Sequence, residues 1–205
     1  MTENKKYELV KDDFIEKIDG TKLYRIKALV DIATKGIKIN ELGGYLEKEE
    51  NLSQYGNAWV YGDARVSGNA WVSGNAWVYG DAWVYGDARV SGNAEVSGNA
   101  WVSGDARVSG NAEVYGNAWV SGNAWVSGSA QVSGKKDYFF MLINGYPITI
   151  LKTHIQVGCK FFEYDEFQNA EKVEEWDSEQ NEIFRQNKEF ISIAIKQFKA
   201  NLEDK

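Results

Sequence analysis

Gly56 to Ser133 reads GNAWVY GDARVS GNAWVS GNAWVY GDAWVY GDARVS GNAEVS GNAWVS GDARVS GNAEVY GNAWVS GNAWVS GSAQVS, thirteen hexads without an insertion. Ala and Val stand two apart in every hexad, so on an extended segment both point to one face and the variable residue between them points to the other. The Gly-Asn or Gly-Asp pair that follows each short strand tolerates positive φ, which lets the chain turn a corner at every hexad. Three corners close a triangle. At three hexads per coil the block makes about 4.3 coils, and at about 4.8 Å per stacked strand it stands only about 20 Å tall. Ala and Val are expected to fill its interior.

This pattern resembles the hexapeptide repeat of the left-handed parallel β-helix, in which an aliphatic residue and, two before it, a small residue fill a triangular coil. Periods of five or nine, which would indicate a four-sided solenoid or a calcium-binding repeat, do not fit. Terminal coils expose unpaired backbone, so such a column needs caps at both ends. The fold expected is therefore mainly β, a left-handed parallel β-helix over 56–134 with an N-terminal β-hairpin cap in 1–55 and a C-terminal α+β cap in 135–205. Residues 7–31 alternate apolar and polar on either side of Asp19-Gly20, a hairpin signal. Leu46 and Leu52, six apart just ahead of the first clean hexad, predict a degenerate first coil. After Gly134, DYFFMLI, Asn144-Gly145, YPITILKT and HIQVGCKFF read as strands with a hairpin turn between the first two. From Asp165 onward Ile183, Phe190, Ile191, Ala194, Phe198 and Leu202 recur at helical spacing and predict an amphipathic helix packed on those strands.

Thirteen of the 20 glycines lie in that register, and Lys plus Arg 23 against Asp plus Glu 30 leaves a net charge of -7. An acidic chain disfavours nonspecific nucleic-acid binding. With no apolar run long enough to span a bilayer and a polar N-terminus (MTENKKYELVKDD), no membrane partner is expected and the protein is read as soluble and cytoplasmic. One cysteine, Cys159, excludes an intrachain disulfide and a multi-cysteine metal site.

KYELV, LYRIKAL, LGGYLEKEENLS and GNAWVYGDARVSGNA together are similar to a group of proteins from bacteriophages and prophages of Gram-positive and gut bacteria, over nearly the whole chain. The resemblance implies a phage or prophage origin and a place in the host bacterial cytoplasm. Its C-terminal part often carries a Cys-Gly-Cys segment; here Val157 occupies the first cysteine position before Gly158 and Cys159. Hexapeptide folds are best known from trimeric acyltransferases, in which a coil or loop histidine is the general base. No hexad here contains a histidine. His154 and Cys159 are five apart on a segment of alternating polarity and are expected on opposite faces, so no catalytic residue and no cofactor is assigned. Asp63, Asp81, Asp87 and Asp105 occupy the turn position held elsewhere by Asn and are read as corner residues, not metal ligands. The repeat block has no threonine, which removes the ice-binding class.

Positions three hexads apart stack, which sorts the outward decoration by face. The first face carries Trp59, Trp77, Glu95, Glu113 and Gln131, with Tyr61, Tyr79 and Tyr115 near its corner. The second carries Arg65, Trp83, Trp101 and Trp119, with Tyr85 close by, and the third carries Trp71, Arg89, Arg107 and Trp125. Seven of the eight tryptophans are thus expected to point away from a core already filled. Stacked aromatics stabilise adjacent strands by about 0.2 to 1 kcal/mol per pair, which is one explanation. The other is a ligand or protein surface made of Trp83, Tyr85, Trp101 and Trp119. Arg89 on Arg107 and Glu95 on Glu113 place like charges opposite each other, an arrangement that asks for opposite charge from elsewhere. A second subunit in a homo-oligomer, a trimer ahead of a dimer, or a small anionic ligand meets that need. Two classes follow: a non-catalytic binding protein that docks on a host protein or sequesters a small signal, and so interferes with bacterial defence or physiology, or a structural self-assembling oligomer; a hexapeptide acyltransferase-like enzyme is a distant third.

Overall fold

A computed structural model describes residues 5–134, 136–158 and 160–203. The chain divides into two compact units, one of Met1–Asn123 with Ser127–Lys135 and the other of Ala124–Val126 with Lys136–Lys205.

The first unit is a mainly-β parallel solenoid of about five turns. Each hexad contributes one two-residue strand, from β4 (Trp59–Val60) to β16 (Gln131–Val132). Strands pair in parallel with partners three hexads on, as in Trp59↔Trp77, Arg65↔Trp83 and Trp71↔Arg89. Hence the hexads sort into three ladders, one per face. Every hexad Ala and Val is at most 2% exposed, so the interior is filled as their spacing predicts. The strands are short because a corner interrupts the chain at every hexad. Glycine is required at those corners on two counts: Gly92 has φ 68°, and a Cβ there would sit 2.9 Å from the Gly110 amide nitrogen of the next turn.

Backbone polarity follows from the winding. The Trp59 N–H donates to the Ala76 carbonyl at 3.0 Å and the Tyr61 N–H to Val78 at 2.9 Å, so the alanine and valine carbonyls of the hexads point toward the N-terminal end. Those carbonyls in the first turn therefore have no preceding turn to receive donors from, and buried carbonyls require partners. Residues 5–55 supply them. Strands β1 (Tyr7–Glu16) and β2 (Lys22–Ala28) form an antiparallel hairpin, β3 (Leu42–Leu46) pairs with β2, and Leu46 and Leu52 stand in register with Val66 and Val72. Both leucines thus extend the valine columns of the interior. The amides of Tyr45, Glu47 and Ser53 donate to the carbonyls of Ala64, Val66 and Val72 at 2.9, 3.0 and 2.9 Å. Gly44 lets the chain pass under the turn, since a Cβ there would lie 2.6 Å from the Ala64 oxygen.

Side chains take further carbonyls at this end. The fully buried Asn51 donates through Nδ2 to Gly68 O at 3.1 Å and Ala70 O at 2.8 Å, while its Oδ1 accepts the Lys48 N–H at 2.9 Å. Lys6, 4% exposed, donates through Nζ to Ala58 O at 2.8 Å, and burial pulls its pKa down to about 8. The Tyr7 hydroxyl has its one hydrogen between the carbonyl oxygens of Glu49 (2.6 Å) and Leu52 (2.8 Å), and burial, then the nearby Glu49 and Glu50, hold its pKa well above the usual phenol value.

The second unit contains the antiparallel meander β17 (Tyr138–Ile143), β18 (Tyr146–Leu151), β19 (His154–Val157) and β20 (Lys160–Glu163), followed by α1 (Tyr164–Asn169) and α2 (Ser178–Glu203). Asn144 and Gly145 make the first turn with φ of 49° and 83°, as a two-residue hairpin requires. The stripe of α2 facing this sheet is Phe184, Ile191, Ile195 and Phe198, packed with Ile148, Ile155 and Phe162. Phe184 stacks on Phe162 at 6.0 Å and meets Phe167 and Trp176 edge-on. The helix lies where its periodicity puts it, with one correction: Phe190 is 59% exposed. It follows on the next position round from the buried stripe, which Phe184 and Ile195 complete in its place. The Trp125 amide donates to Thr149 Oγ1 at 3.0 Å within this unit.

Candidate functional site: the outward faces of the solenoid

The second face continues beyond the hexads. Tyr45, Arg65, Trp83, Trp101 and Trp119 stand side by side in register, one from each successive strand. Tyr45 escapes the sequence pattern because its separation from Arg65 is longer than the three-hexad spacing; the signal that finds it is Leu46, whose partner Val66 has the same offset. Arg25 covers the end of the column. Its guanidinium lies 4.3 Å from the centre of the Tyr45 ring, donates to Gly43 O at 3.0 Å and pairs with Asp13 at 3.1 Å, and it also touches the Tyr45 hydroxyl.

The tryptophans meet edge to face. Ring centroids are 5.7 Å apart for Trp83 and Trp101, at 79°, and 6.0 Å for Trp101 and Trp119, at 69°. Each indole leans toward the corner residue of the turn before it. Trp83 and Trp119 direct Nε1 to Ser67 and Ser103 Oγ at 3.4 Å, and Trp101 sets its ring edge-on to Tyr85 at 6.4 Å. The face therefore brings together all four aromatic residues expected there. Trp101 and Trp119 are each 40% exposed and Trp83 and Tyr85 are half-buried. For a side chain of about 250 Å², that leaves about 100 Å² of each exposed indole in water.

Beside the column is a cleft of about 740 Å³ between the β1–β2 turn and the face, lined by Ile15, Lys17, Ile18, Arg65, Trp83 and Tyr85. The hairpin strands have ten and seven residues where coil strands have two, so the hairpin extends past the face it joins. Sequence reasoning missed this cleft, because nothing in the repeat register says that residues 15–18 approach residues 65–85.

The first face corrects one expectation. Trp59 projects outward from the coil but is 0% exposed, because Tyr7 meets it edge-on at 6.3 Å. The N-terminal segment thus covers the start of this face. Trp77 is half-buried, with Lys35 Nζ 4.8 Å from its ring. Glu95 and Glu113 are register partners, as expected, yet neutral neighbours serve them: Tyr79 donates to Glu95 at 3.4 Å and Gln131 to Glu113 at 3.1 Å. The like-charge ladder therefore does not depend on a cation from outside.

On the third face Arg89 and Arg107 are register partners and both are exposed. Arg89 has no ion pair among the described residues. The glutamate and arginine ladders lie in different sheets. The corners are polar ladders: Asn57 donates to Asn75, Asn75 to Asn93 and Asn93 to Asn111 at 2.9 to 3.0 Å, and Asn69 donates to Asp87 at 3.1 Å. Such ladders satisfy the corner amides between turns. Among the described residues no group of His, Cys, Asp and Glu is arranged to hold a metal ion.

His154 is 2% exposed, with Nδ1 2.9 Å from Thr153 Oγ1 and its ring 4.4 Å from Phe161. Burial lowers its pKa to about 4, so the ring is neutral at pH 7. Cys159, its suggested counterpart, lies outside the described residues. No helix of the described residues is long and apolar enough to cross a membrane.

Comparison with curated proteins gives no match. A family model described as YdcK beta solenoid repeat matches residues 58–74, 70–86, 88–104, 106–122 and 118–134, the same coils whose register the three ladders define. By pattern, pairing and family model alike, the chain is a β-solenoid repeat protein over residues 58–134.

Proposed function

We propose that this protein is a non-catalytic binding module that presents the Trp83, Trp101, Trp119 face, with Tyr85 and Arg65, to a host protein or a small signal ligand. The observation that carries the reading is the unbroken aromatic column: its indoles are not needed to fill the core, which Ala and Val complete, and two of them keep 40% of their surface in water. Large aromatic side chains are the residues that most often anchor interfaces. The repeat is of the hexapeptide class and winds left-handed; this is supported by three strands per turn with a positive-φ glycine at each corner. The N-terminal hairpin and the C-terminal α+β unit act as its caps. Together with the phage-like segments KYELV and LYRIKAL, the reading becomes a phage- or prophage-encoded factor working in the host bacterial cytoplasm against defence or physiology.

Replacing Trp101 by Glu tests it. A carboxylate in the middle of the column is costly to desolvate without a partner, so the variant, folded by circular dichroism, loses its partner or its self-association. Sedimentation and retention from host lysate read the two outcomes. Unchanged mass and an unchanged set of retained proteins would reduce the column to coil stabilisation.

A second reading is a self-assembling homo-oligomer, trimeric in the first instance. It is favoured by Arg89, which stands on the third face beside Arg107 with no ion pair among the described residues. Arg89→Glu then shifts the sedimentation mass to that of the monomer.

A further inference from the structure

We infer that the cleft between the β1–β2 turn and the second face is a site for one flat aromatic molecule carrying an anionic group. The inference rests on the binding reading above and deepens it by naming the ligand's chemistry. Its volume, about 740 Å³, is that of a small-molecule pocket and not of a water site. One wall is aromatic: Trp83 and Tyr85 lie tilted at 47° with centroids 5.2 Å apart, and both are half-buried. Ile15 and Ile18 add aliphatic lining.

Ile18 is the informative residue. It sits in the turn closed by the Gly20 N–H to Lys17 carbonyl bond at 2.9 Å, and it is fully exposed. Turn positions normally take Gly, Asn, Asp, Ser or Pro, so an isoleucine held in water at the lip of an apolar cleft is explained by something that covers it. A lining of two tilted aromatic rings with aliphatic side chains selects a flat ring over a fully polar ligand.

The charges select an anion. Lys17 and Asp19 pair with each other at 3.3 Å. Glu16 also borders the cleft, and its cross-strand partner Lys22 sets an opposite charge directly across from it. Arg65 remains: it is exposed, lies in register between Tyr45 and Trp83, and has no ion pair among the described residues. Its guanidinium suits a carboxylate or a phosphate, which it receives through two parallel hydrogen bonds.

Calorimetric titration of the full chain with 2-naphthoate, adenosine 5′-monophosphate and the uncharged 2-naphthylmethanol tests the site. Saturable binding of one molecule per chain is expected for at least one of the two anions, and which one binds separates a carboxylate source from a phosphate source. Arg65→Met weakens that anion about tenfold or more, and Ile18→Ser weakens it while leaving the circular dichroism unchanged. The alcohol binds more weakly than naphthoate and is indifferent to Arg65→Met. The titration reads the cleft and the retention assay of Trp101→Glu reads the partner face, so failure of one is distinguishable from failure of the other. The inference is overturned if neither anion saturates, if Arg65→Met has no effect, or if Ile18→Ser converts a dimer to a monomer, which would make a second copy the occupant.

Discussion

Asn51→Leu removes a side chain that serves three backbone groups at the open end of the solenoid while nearly conserving volume. Gly68 O and Ala70 O lose the Nδ2 donor, and the Lys48 N–H loses the Oδ1 acceptor. Coil winding offers no replacement, because the Gly68 and Ala70 carbonyls point away from the later turns, as their equivalents Gly86 and Ala88 do when they accept from Asn69 and Trp71. A buried group left unsatisfied costs about 1 to 3 kcal/mol, and a part-buried one about 0.5 to 1.5 kcal/mol. With Ala70 O in the first class and the other two in the second, the loss is about 2 to 6 kcal/mol. In a solenoid each turn touches only its neighbours, so that loss falls on the first turn before it falls on the whole molecule. Amide hydrogen exchange reads it locally: the Tyr45, Glu47 and Ser53 amides, which donate to the first turn, exchange about 100-fold faster. Amides of the Glu95–Val96 turn stay as they were. If the three first-turn amides change less than about threefold in a folded variant, the account of Asn51 as the satisfier of orphan carbonyls is wrong.

Gly92→Ala places a Cβ against the Gly110 amide at 2.9 Å at a residue with φ 68°. It lowers the urea midpoint, corresponding to about 1 to 3 kcal/mol, whereas Gly134→Ala, whose Cβ meets nothing within 4 Å, leaves it in place. Stability also varies with pH through Lys6 and Tyr7. Folded Lys6 holds its proton less tightly than the unfolded chain, so its charged form is a penalty below about pH 8 that is relieved as pH rises from about 8 toward the ordinary lysine value of 10.5. Folded Tyr7 holds its proton more tightly, so stability is lost above about pH 10, where the unfolded phenol ionises. Urea titrations from about pH 7 to about pH 11 show a rise and then a fall; Lys6→Met removes the rise alone.

The repeat itself carries most of the first unit. Ala and Val two apart, with Gly in every hexad, leave one way to bury the apolar side of each hexad and one way to turn, so interior, corners, three-hexad register and the membership of each face all follow locally from the pattern. The C-terminal hairpin was equally legible, since Asn144-Gly145 demands positive φ at both positions. What the sequence withheld depends on contacts between segments of different period. Tyr45 joins the aromatic column through an offset the hexads do not share, Tyr7 buries Trp59 from far back in the chain, and neutral Tyr79 and Gln131 serve glutamates that charge alone had left wanting a cation. Phe190 and Phe184 exchange places because which side of a helix is the inside is set by the sheet it meets, and the stripe is wide enough for both at the level of periodicity. The cleft is the furthest from local rules. It exists because a ten-residue strand joins a face built from two-residue strands and overruns it, a mismatch of lengths that only the paired register of Tyr7–Glu16, Lys22–Ala28 and Leu42–Leu46 brings beside Arg65 and Trp83.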